Sequence, residues 1–206
     1  VVLSDHFTDK PFYSFIGNKE LSKTLKQLFA FSMDSNDSAP ELKQVPEISL
    51  DKIDLSKYLI EIDLNNSDYV FSLNDLATYQ GSKLSNKRKI YHSFIRTNPE
   101  VTIKTFDLKE ANYKEDILRL TETWTKNKAK HNSGVNNHKE LLALKRFLSI
   151  DFGESLCVGA FLGDILIGYS IFTFAKHRYA ICHFSKADIS YVGIYEFLMS
   201  ESAKIL

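Results

Sequence analysis

The spacing of apolar and polar residues predicts a run of strands near the end of the chain. Apolar runs predict strands at Ser155–Phe161, Leu166–Ala175 and Tyr179–Ser185, with Gly163-Asp164 as the turn between the first two. A short loop containing Gly193 then leads into a helical pattern. Because the start of a helix leaves backbone N–H groups unpaired, this loop is a candidate site for an anion.

The middle of the chain shows helical and alternating patterns in turn. We expect an amphipathic helix at Ser85–Thr97, a strand at Val101–Asp107, a helix within Leu108–Lys130 and another at His138–Ile150. With the strands above, the later half is ordered strand, helix, helix, three strands and helix. This order predicts an α+β unit.

The first part of the chain gives a weaker version of the same pattern. Short strands are predicted at Val1–Ser4 and Phe12–Ile16, followed by a helix that starts near Leu21. Alternating residues predict further strands at Tyr58–Asp63 and Ser67–Ser72.

These patterns predict two related α+β domains that meet near Asn98, one spanning residues 1–98 and the other residues 99–206. The chain begins at Val1, without methionine and within a strand-like run, and ends at Leu206 within a helical pattern. Natural termini are usually polar and poorly ordered. We therefore expect a segment of a longer protein.

The composition is that of a globular protein and gives no global preference for a charged partner. Lys plus Arg number 26, as do Asp plus Glu, so nucleic acid or an anionic membrane would need a local basic patch. No apolar run is long enough to span a bilayer. Cys157 and Cys182 lie in apolar strand patterns, so we expect two buried, reduced thiols rather than a disulfide or a metal site.

The loop after Ser185 is the first candidate for chemistry. Backbone N–H groups around Tyr191–Ile194, together with the charge of Lys186, are suited to a phosphate or an ester oxygen. The alternative is a plain connection between strand and helix. In that case Asp188 or Ser190 caps the helix and Gly193 allows close packing.

A basic segment at the start of the Ser85–Thr97 helix is the second candidate. Lys83, Lys87, Arg88 and Lys89 have the charge to neutralise phosphates of RNA or of a lipid headgroup. The alternative is a solvated helix face, the usual role of a short run of charges.

Histidines are the third candidate. His183, in the strand before the loop, is placed to act as a general base, although a strand histidine is more often simply hydrogen-bonded. No histidine has zinc-ligand spacing to another histidine or to a cysteine, so we expect no metal.

Short motifs, taken in their order and spacing, resemble the signatures of the phosphatidylglycerol lysyltransferase C-terminal domain family. The earlier motifs are Asp68–Ser72, Leu76, Gly81-Ser82-Lys83 and Lys87-Arg88, and the later ones are Trp124 and His183–Asp188 with Gly193 and Tyr195. The similarity runs along almost the whole chain.

The resemblance implies two tandem GNAT-like (acyl-CoA N-acyltransferase) domains with mixed, mostly antiparallel sheets flanked by helices. It also implies transfer of an amino acid, usually lysine, from aminoacyl-tRNA to phosphatidylglycerol or to another hydroxyl or amine acceptor. Within this picture the expected catalytic residues are His183, Lys186, Asp188 and Glu196, and the expected substrate-binding residues are Lys83, Lys87, Arg88, Gly193 and Tyr195. The best-understood relatives follow a membrane-spanning region, so the location implied is the cytoplasm or the inner membrane surface.

Two departures from known patterns change these expectations. Domains that use acetyl-CoA carry Arg or Gln, two residues, Gly, one residue, then Gly or Ala, where this chain has Ser190, Gly193 and Tyr195. The bulky Tyr195 would crowd a pyrophosphate, so we expect no acetyl-CoA and no other cofactor. Segments that follow the last helix in the family are absent from the chain, so the second domain is expected to be incomplete.

Two alternative functions stay open on the sequence. One is an acetyl-CoA-dependent N-acetyltransferase that acts on a small amine. The other is a GNAT-fold binding module without catalytic activity.

Overall fold

The structure is a computed structural model that describes residues 2–4, 11–15, 17, 19–34, 41–131, 138–150, 155–175 and 178–206. The chain forms two compact units, Val1–Tyr69 and Val70–Leu206. Each unit has its own core.

The first unit contains a two-stranded sheet and mostly helical segments. Its elements are β1 (Val2–Ser4), β2 (Pro11–Tyr13), α1 (Leu21–Asp34) and 3₁₀ helices at Glu47–Lys52, Leu55–Lys57 and Leu64–Asn66. β1 and β2 pair antiparallel. The buried residues Phe15, Leu21 and Leu25 form the core, and the Phe29 and Tyr58 rings stack beside it with centroids 5.4 Å apart.

The second unit is built around one antiparallel sheet. Its elements are α2 (Leu73–Thr78), α3 (Ser85–Thr97), β3 (Val101–Phe106), α4 (Ala111–His131), α5 (His138–Ser149), β4 (Ser155–Leu162), β5 (Ile165–Ala175), β6 (Tyr179–Ala187) and α6 (Ile194–Ile205). The strand order is β3-β4-β5-β6, and every neighbouring pair is antiparallel. The expected α+β class, with an antiparallel sheet flanked by helices, is confirmed.

Helices cover both faces of this sheet. On one face, Ile117 of α4 and Leu144 of α5 pack with Cys157 and Tyr169 of the sheet. On the other face, α6 and α3 pack against β4 and β5, and the stacked rings of Phe94 and Phe197 lie 4.6 Å apart. α2 packs against α6, since the Ser200 hydroxyl donates to the Ala77 carbonyl over 2.9 Å.

The sequence of β5 follows from its position between two helical layers. Tyr169 and Ile171 belong to the core under α4 and α5, whereas Ile167 and Phe172 belong to the core under α6. A strand buried on both faces needs apolar residues at nearly every position, because both faces exclude water. β5 is therefore apolar at most positions, and its buried Ser170 hydroxyl lies 2.9 Å from that of Ser185.

A bulge in β6 moves one residue out of the regular register. Ile171 is opposite Phe184 and Phe172 is opposite Cys182, so His183 is the extra residue. A bulge of this kind re-aims a side chain without ending the strand. The ring of His183 lies 5.1 Å from that of Phe147 on α5.

Two expected strands and one expected burial are wrong. Tyr58–Asp63 and Ser67–Ser72 form no strand, and apart from Tyr58 their apolar side chains are exposed, with Tyr69 87% exposed. Alternation favours a strand only where a neighbouring strand supplies hydrogen bonds, and neither segment pairs with one. Cys182 is exposed on β6, one of the two edge strands of this sheet. Cys157 is buried as expected, and burial raises the pKa of its thiol to about 12.

Helices α2 and α3 belong to the second compact unit, since both pack against α6. This unit begins at Val70. The assignment of residues 1–98 and 99–206 to two GNAT-like domains stays a prediction.

Gly193 should be required for the close approach of α3 and α6. Its φ is +92°, and an added Cβ would lie 2.9 Å from the Ile90 side chain. We expect Gly193→Ala to lower the free energy of unfolding by about 2–5 kcal/mol, from left-handed backbone strain and overpacking. Urea denaturation measures the change. Gly81→Ala is the matched control, since Gly81 has φ +86° but no atom within 4 Å of an added Cβ; equal losses in both variants would show that packing against Ile90 is unimportant.

Candidate functional site

A buried hydroxyl pair ties helix α4 to the sheet. The Thr121 hydroxyl donates to the Ile117 carbonyl over 2.7 Å and lies 2.7 Å from the Tyr169 hydroxyl. Because the single Thr121 proton is used, Tyr169 is the donor of the second bond. Burial raises the pKa of Tyr169 and keeps its phenol protonated. α4 is thereby fixed over β5, with Trp124 one turn beyond Thr121.

Lys186 of β6 lies directly opposite Tyr169 and has two partners for its charge. Its Nζ is 2.5 Å from Glu140 Oε1 on α5 and 4.0 Å from the centroid of the Trp124 ring. The Lys186 side chain is only 12% exposed and that of Glu140 33%. A charge removed from water needs such partners, and an ion pair and a cation–π contact together supply them. Lys186 retains further N–H donors beyond the one used by Glu140.

Tyr195, the second residue of α6, reaches the same place from the opposite face of the sheet. Its hydroxyl oxygen accepts from the Ala187 N–H over 3.3 Å. Burial raises the pKa of Tyr195, and hydrogen bonds from Ala187 and the Trp124 side chain oppose that rise. Both bonds use the phenol oxygen as an acceptor, since an amide and an indole can only donate here. The phenol proton is therefore left for a third group.

Together these residues form what we call the Lys186 cluster: Thr121, Trp124, Glu140, Tyr169, Lys186 and Tyr195. It unites two expected site residues, Lys186 and Tyr195, at the end of β6. The cluster offers an ammonium group and a neutral phenol as donors. Such a pair is suited to an oxygen that carries or develops negative charge.

His183 is on the same strand but some distance away. It lies three residues before Lys186, which corresponds to roughly 10 Å along a strand. Its Nε2 is 2.7 Å from the Thr173 hydroxyl, and desolvation lowers the pKa of the imidazole. His183 is thus held against Thr173, and the proton on its imidazole is bound less tightly than on a free histidine.

The loop between β6 and α6 uses much of its own hydrogen-bonding capacity. The Ser190 N–H donates to the Asp188 carboxylate over 2.9 Å, and the Tyr191 N–H donates to the Asp188 carbonyl over 3.2 Å. The Ile194 N–H donates in turn to the Tyr191 carbonyl. Asp188 therefore organises its own turn, and the amides of Tyr191 and Ile194 are already bonded. Gly193 serves close packing against α3.

The other expected acid, Glu196, belongs to a separate contact between helices. Its carboxylate pairs with Lys87 Nζ over 3.2 Å, and its carbonyl accepts from the Tyr79 hydroxyl over 2.9 Å. Arg88 donates to the Tyr79 carbonyl over 2.6 Å. Lys87 and Arg88 thus join α3 to its neighbours, whereas Lys83 is exposed.

Sequence reasoning missed three members of the cluster. Glu140, Thr121 and Tyr169 belong to patterns read only as helix and strand, and Trp124 was noted without a chemical role. The available signal was a lysine near the end of a predicted strand, which needs an acid nearby if the strand packs against helices and the lysine is buried. The sequence does not show which acid pairs with Lys186, because that depends on how α5 packs against the sheet.

Neither a metal site nor a membrane span is found in the part of the chain that the structure describes. No group of three His, Cys, Asp or Glu residues there is arranged to hold a metal ion. Within the same residues, no helix combines the length and apolar character needed to cross a membrane.

The fold and the cluster define an α+β protein with an antiparallel sheet between helices and a lysine–tyrosine donor pair at the sheet end. Residues 12–206 match the family model described as phosphatidylglycerol lysyltransferase, C-terminal. The chain belongs to this family, as its motifs indicated.

One solved structure similar to this chain is described as a conserved protein of unknown function from Bacteroides thetaiotaomicron VPI-5482. The two share 21% sequence identity with a TM-score of 0.72, over 96% of this chain and 67% of that one. This likeness shows a shared fold. No functionally curated protein matches the chain.

Arg88 should contribute to stability. Arg88→Ala removes a charged donor from the Tyr79 carbonyl, so we expect the free energy of unfolding to fall by about 1.5 kcal/mol. Lys83→Ala, the exposed control from the same segment, should change it by no more than about 0.5 kcal/mol. Urea midpoints compare the two variants, and an Arg88→Ala protein as stable as the control would contradict the structural role.

His183 should make stability depend on pH in acid. Its pKa is lowered in the folded protein, so the unfolded chain binds the proton more readily. The stabilising contribution is complete above the unfolded pKa of about 6.5 and is lost as the pH falls through the lower folded value. We expect His183→Gln to flatten the decline of the urea midpoint below that pH. An unchanged decline would mean that other groups cause it.

Proposed function

We propose that this chain is an aminoacyltransferase domain that moves an amino acid from aminoacyl-tRNA to a lipid hydroxyl such as that of phosphatidylglycerol. The observation that supports this most strongly is the pair of donors, Lys186 and Tyr195, held together beside Trp124. Family membership supports a lipid acceptor. A GNAT-like fold for the domain is part of the proposal.

The proposed step exchanges one ester for another. The acceptor hydroxyl oxygen attacks the carbonyl carbon of the aminoacyl ester and forms a new C–O bond. The C–O bond to the tRNA ribose then breaks, and the proton of the acceptor hydroxyl ends on the ribose oxygen. The reaction needs no oxidant, reductant or nucleotide cofactor.

The two donors match the charge that develops in this step. The carbonyl oxygen becomes negative as the acceptor attacks, and donors already fixed at that place stabilise it without reorganisation. Lys186 supplies an ammonium held by Glu140, and Tyr195 supplies a phenol proton. Burial raises the pKa of Tyr195, so the phenol keeps this proton at neutral pH.

The other expected catalytic residues take different places in the proposal. A role for His183 as the group that accepts the proton of the acceptor hydroxyl stays a prediction, because the imidazole lies roughly 10 Å along β6 from Lys186. Asp188 and Glu196 support the site indirectly. Asp188 holds the turn before α6, and Glu196 holds Lys87 against α6.

An RNA-borne donor fits the loop better than acetyl-CoA. A pyrophosphate would need several free backbone N–H groups at the start of α6. The amides of Ser190, Tyr191 and Ile194 already donate within the chain, and the Tyr195 side chain follows directly. These contacts favour an aminoacyl ester whose carbonyl meets side-chain donors.

The basic segment before and within α3 is the proposed contact for phosphates of the tRNA. Lys83 is exposed and is the clearest candidate, whereas Lys87 and Arg88 also carry structural contacts. A phosphate contact of one lysine contributes about one unit to the slope of log affinity against log salt.

Transfer of labelled lysine from lysyl-tRNA into phosphatidylglycerol vesicles tests the proposal. We expect label in the lipid phase with the unaltered chain, and a loss of about 100-fold in rate with Lys186→Met, because removal of one oxyanion donor costs that much in other enzymes. Lys109→Met is the matched control, since it removes an exposed lysine that has no role in the proposal, and it should retain the rate.

Two results would contradict the proposal. One is an absence of lipid-soluble label together with thermal stabilisation by coenzyme A, which would favour N-acetyl transfer. The other is an absence of both transfer and ligand-induced stabilisation, which would favour a binding module.

A further inference from the structure

Trp124 contacts both proposed donor groups at once. Its ring face lies 4.0 Å from the Lys186 ammonium, and its side chain hydrogen-bonds the Tyr195 hydroxyl. We infer that Trp124 is a positioning residue that holds Lys186 and Tyr195 as a matched pair of donors for one oxygen atom. This inference rests on the proposed function and extends it to a residue without chemistry of its own.

An indole ring is well suited to this double contact. The face of the ring carries the negative part of the quadrupole and attracts a cation, while the N–H lies at the edge and donates a hydrogen bond. Because the indole ring is rigid, a shift of the ring toward Lys186 or toward Tyr195 changes both contacts together. No aliphatic side chain provides both contacts, and phenylalanine provides only the first.

Glu140 completes the positioning of Lys186. A lysine side chain is flexible and its ammonium can rotate among many partners. Glu140 Oε1, 2.5 Å away, and the Trp124 face restrict Lys186 to one place between α4 and α5. Replacing Glu140 by glutamine keeps the size of the side chain but removes the negative charge.

A hydrogen bond ties the helical turn before Trp124 to the sheet. Thr121, one turn earlier on α4, is bonded to Tyr169 of β5, and Tyr169 is the strand partner of Lys186. The ring and the ammonium are therefore fixed to the same pair of strands. Trp124 is only partly buried and is not a member of the buried core that α4 forms with the sheet.

Intrinsic fluorescence tests the geometry without any assay of activity. Trp124 is the only tryptophan of the chain, so all indole emission comes from this ring. An ammonium beside an indole changes the electric field that its excited state experiences. Lys186→Met and Glu140→Gln should therefore shift the emission maximum, whereas Lys83→Met, remote from the ring in the sequence and exposed, should leave it unchanged. An unshifted maximum in Lys186→Met would overturn the inference.

Kinetics of the lysyl-tRNA and phosphatidylglycerol reaction test the function of the contact. Trp124→Phe keeps a ring face but removes the N–H, and we expect kcat to fall about tenfold with little change in KM, because binding of the tRNA uses other residues. Trp124→Leu removes both contacts and should lower kcat further. Circular dichroism and urea midpoints establish that each variant is folded.

The results separate failure of the inference from failure of the proposed function. A shifted emission maximum in Lys186→Met with a normal kcat in Trp124→Phe would overturn the positioning role while the transferase stands. If the unaltered chain transfers no lysine, the proposed function is overturned. A shifted emission maximum in Lys186→Met would still support the contact between Lys186 and Trp124. Lys186→Arg should restore part of the rate lost in Lys186→Met if a held cation is what matters.

Discussion

The ammonium of Lys186 lies at the end of a buried sheet, where a charge is stable only if other groups replace the water that it loses. Glu140 and the face of Trp124 are those groups. Glu140 lies on α5 and Trp124 lies on α4. Because both side chains must reach the same ammonium group, their contacts restrict how the two helices lie on the sheet. The rest of the candidate site depends on this arrangement.

The sheet end is also where the two helical layers of the second unit meet. α4 covers one face and α6 the other, yet Trp124 and Tyr195 approach each other beyond the last residue of β6. The Ala187 N–H, at the end of the strand, donates to the Tyr195 hydroxyl rather than to another strand.

Positive charge in the chain has more than one use. Lys87 and Arg88 belong to the segment with the most basic sequence, but the structure gives them partners in Glu196 and in the Tyr79 carbonyl. Lys186, the single lysine of β6, is largely buried and is placed close to the Tyr195 phenol. Charge density along the sequence is a weaker guide to a site than burial of one charge with named partners.

The sequence alone determined the elements of the second unit, because their signals are local. Helical spacing in α3 and α5 and the apolar run of β5 each depend on residues within one element. The same reasoning failed for Tyr58–Asp63 and Ser67–Ser72, since a strand also needs a partner that no local pattern reveals. Of the site, the sequence indicated Lys186 and Tyr195. Only the tertiary structure decided that Glu140 and Trp124 hold them and that Glu196 faces Lys87, because these contacts join residues from elements far apart in the chain.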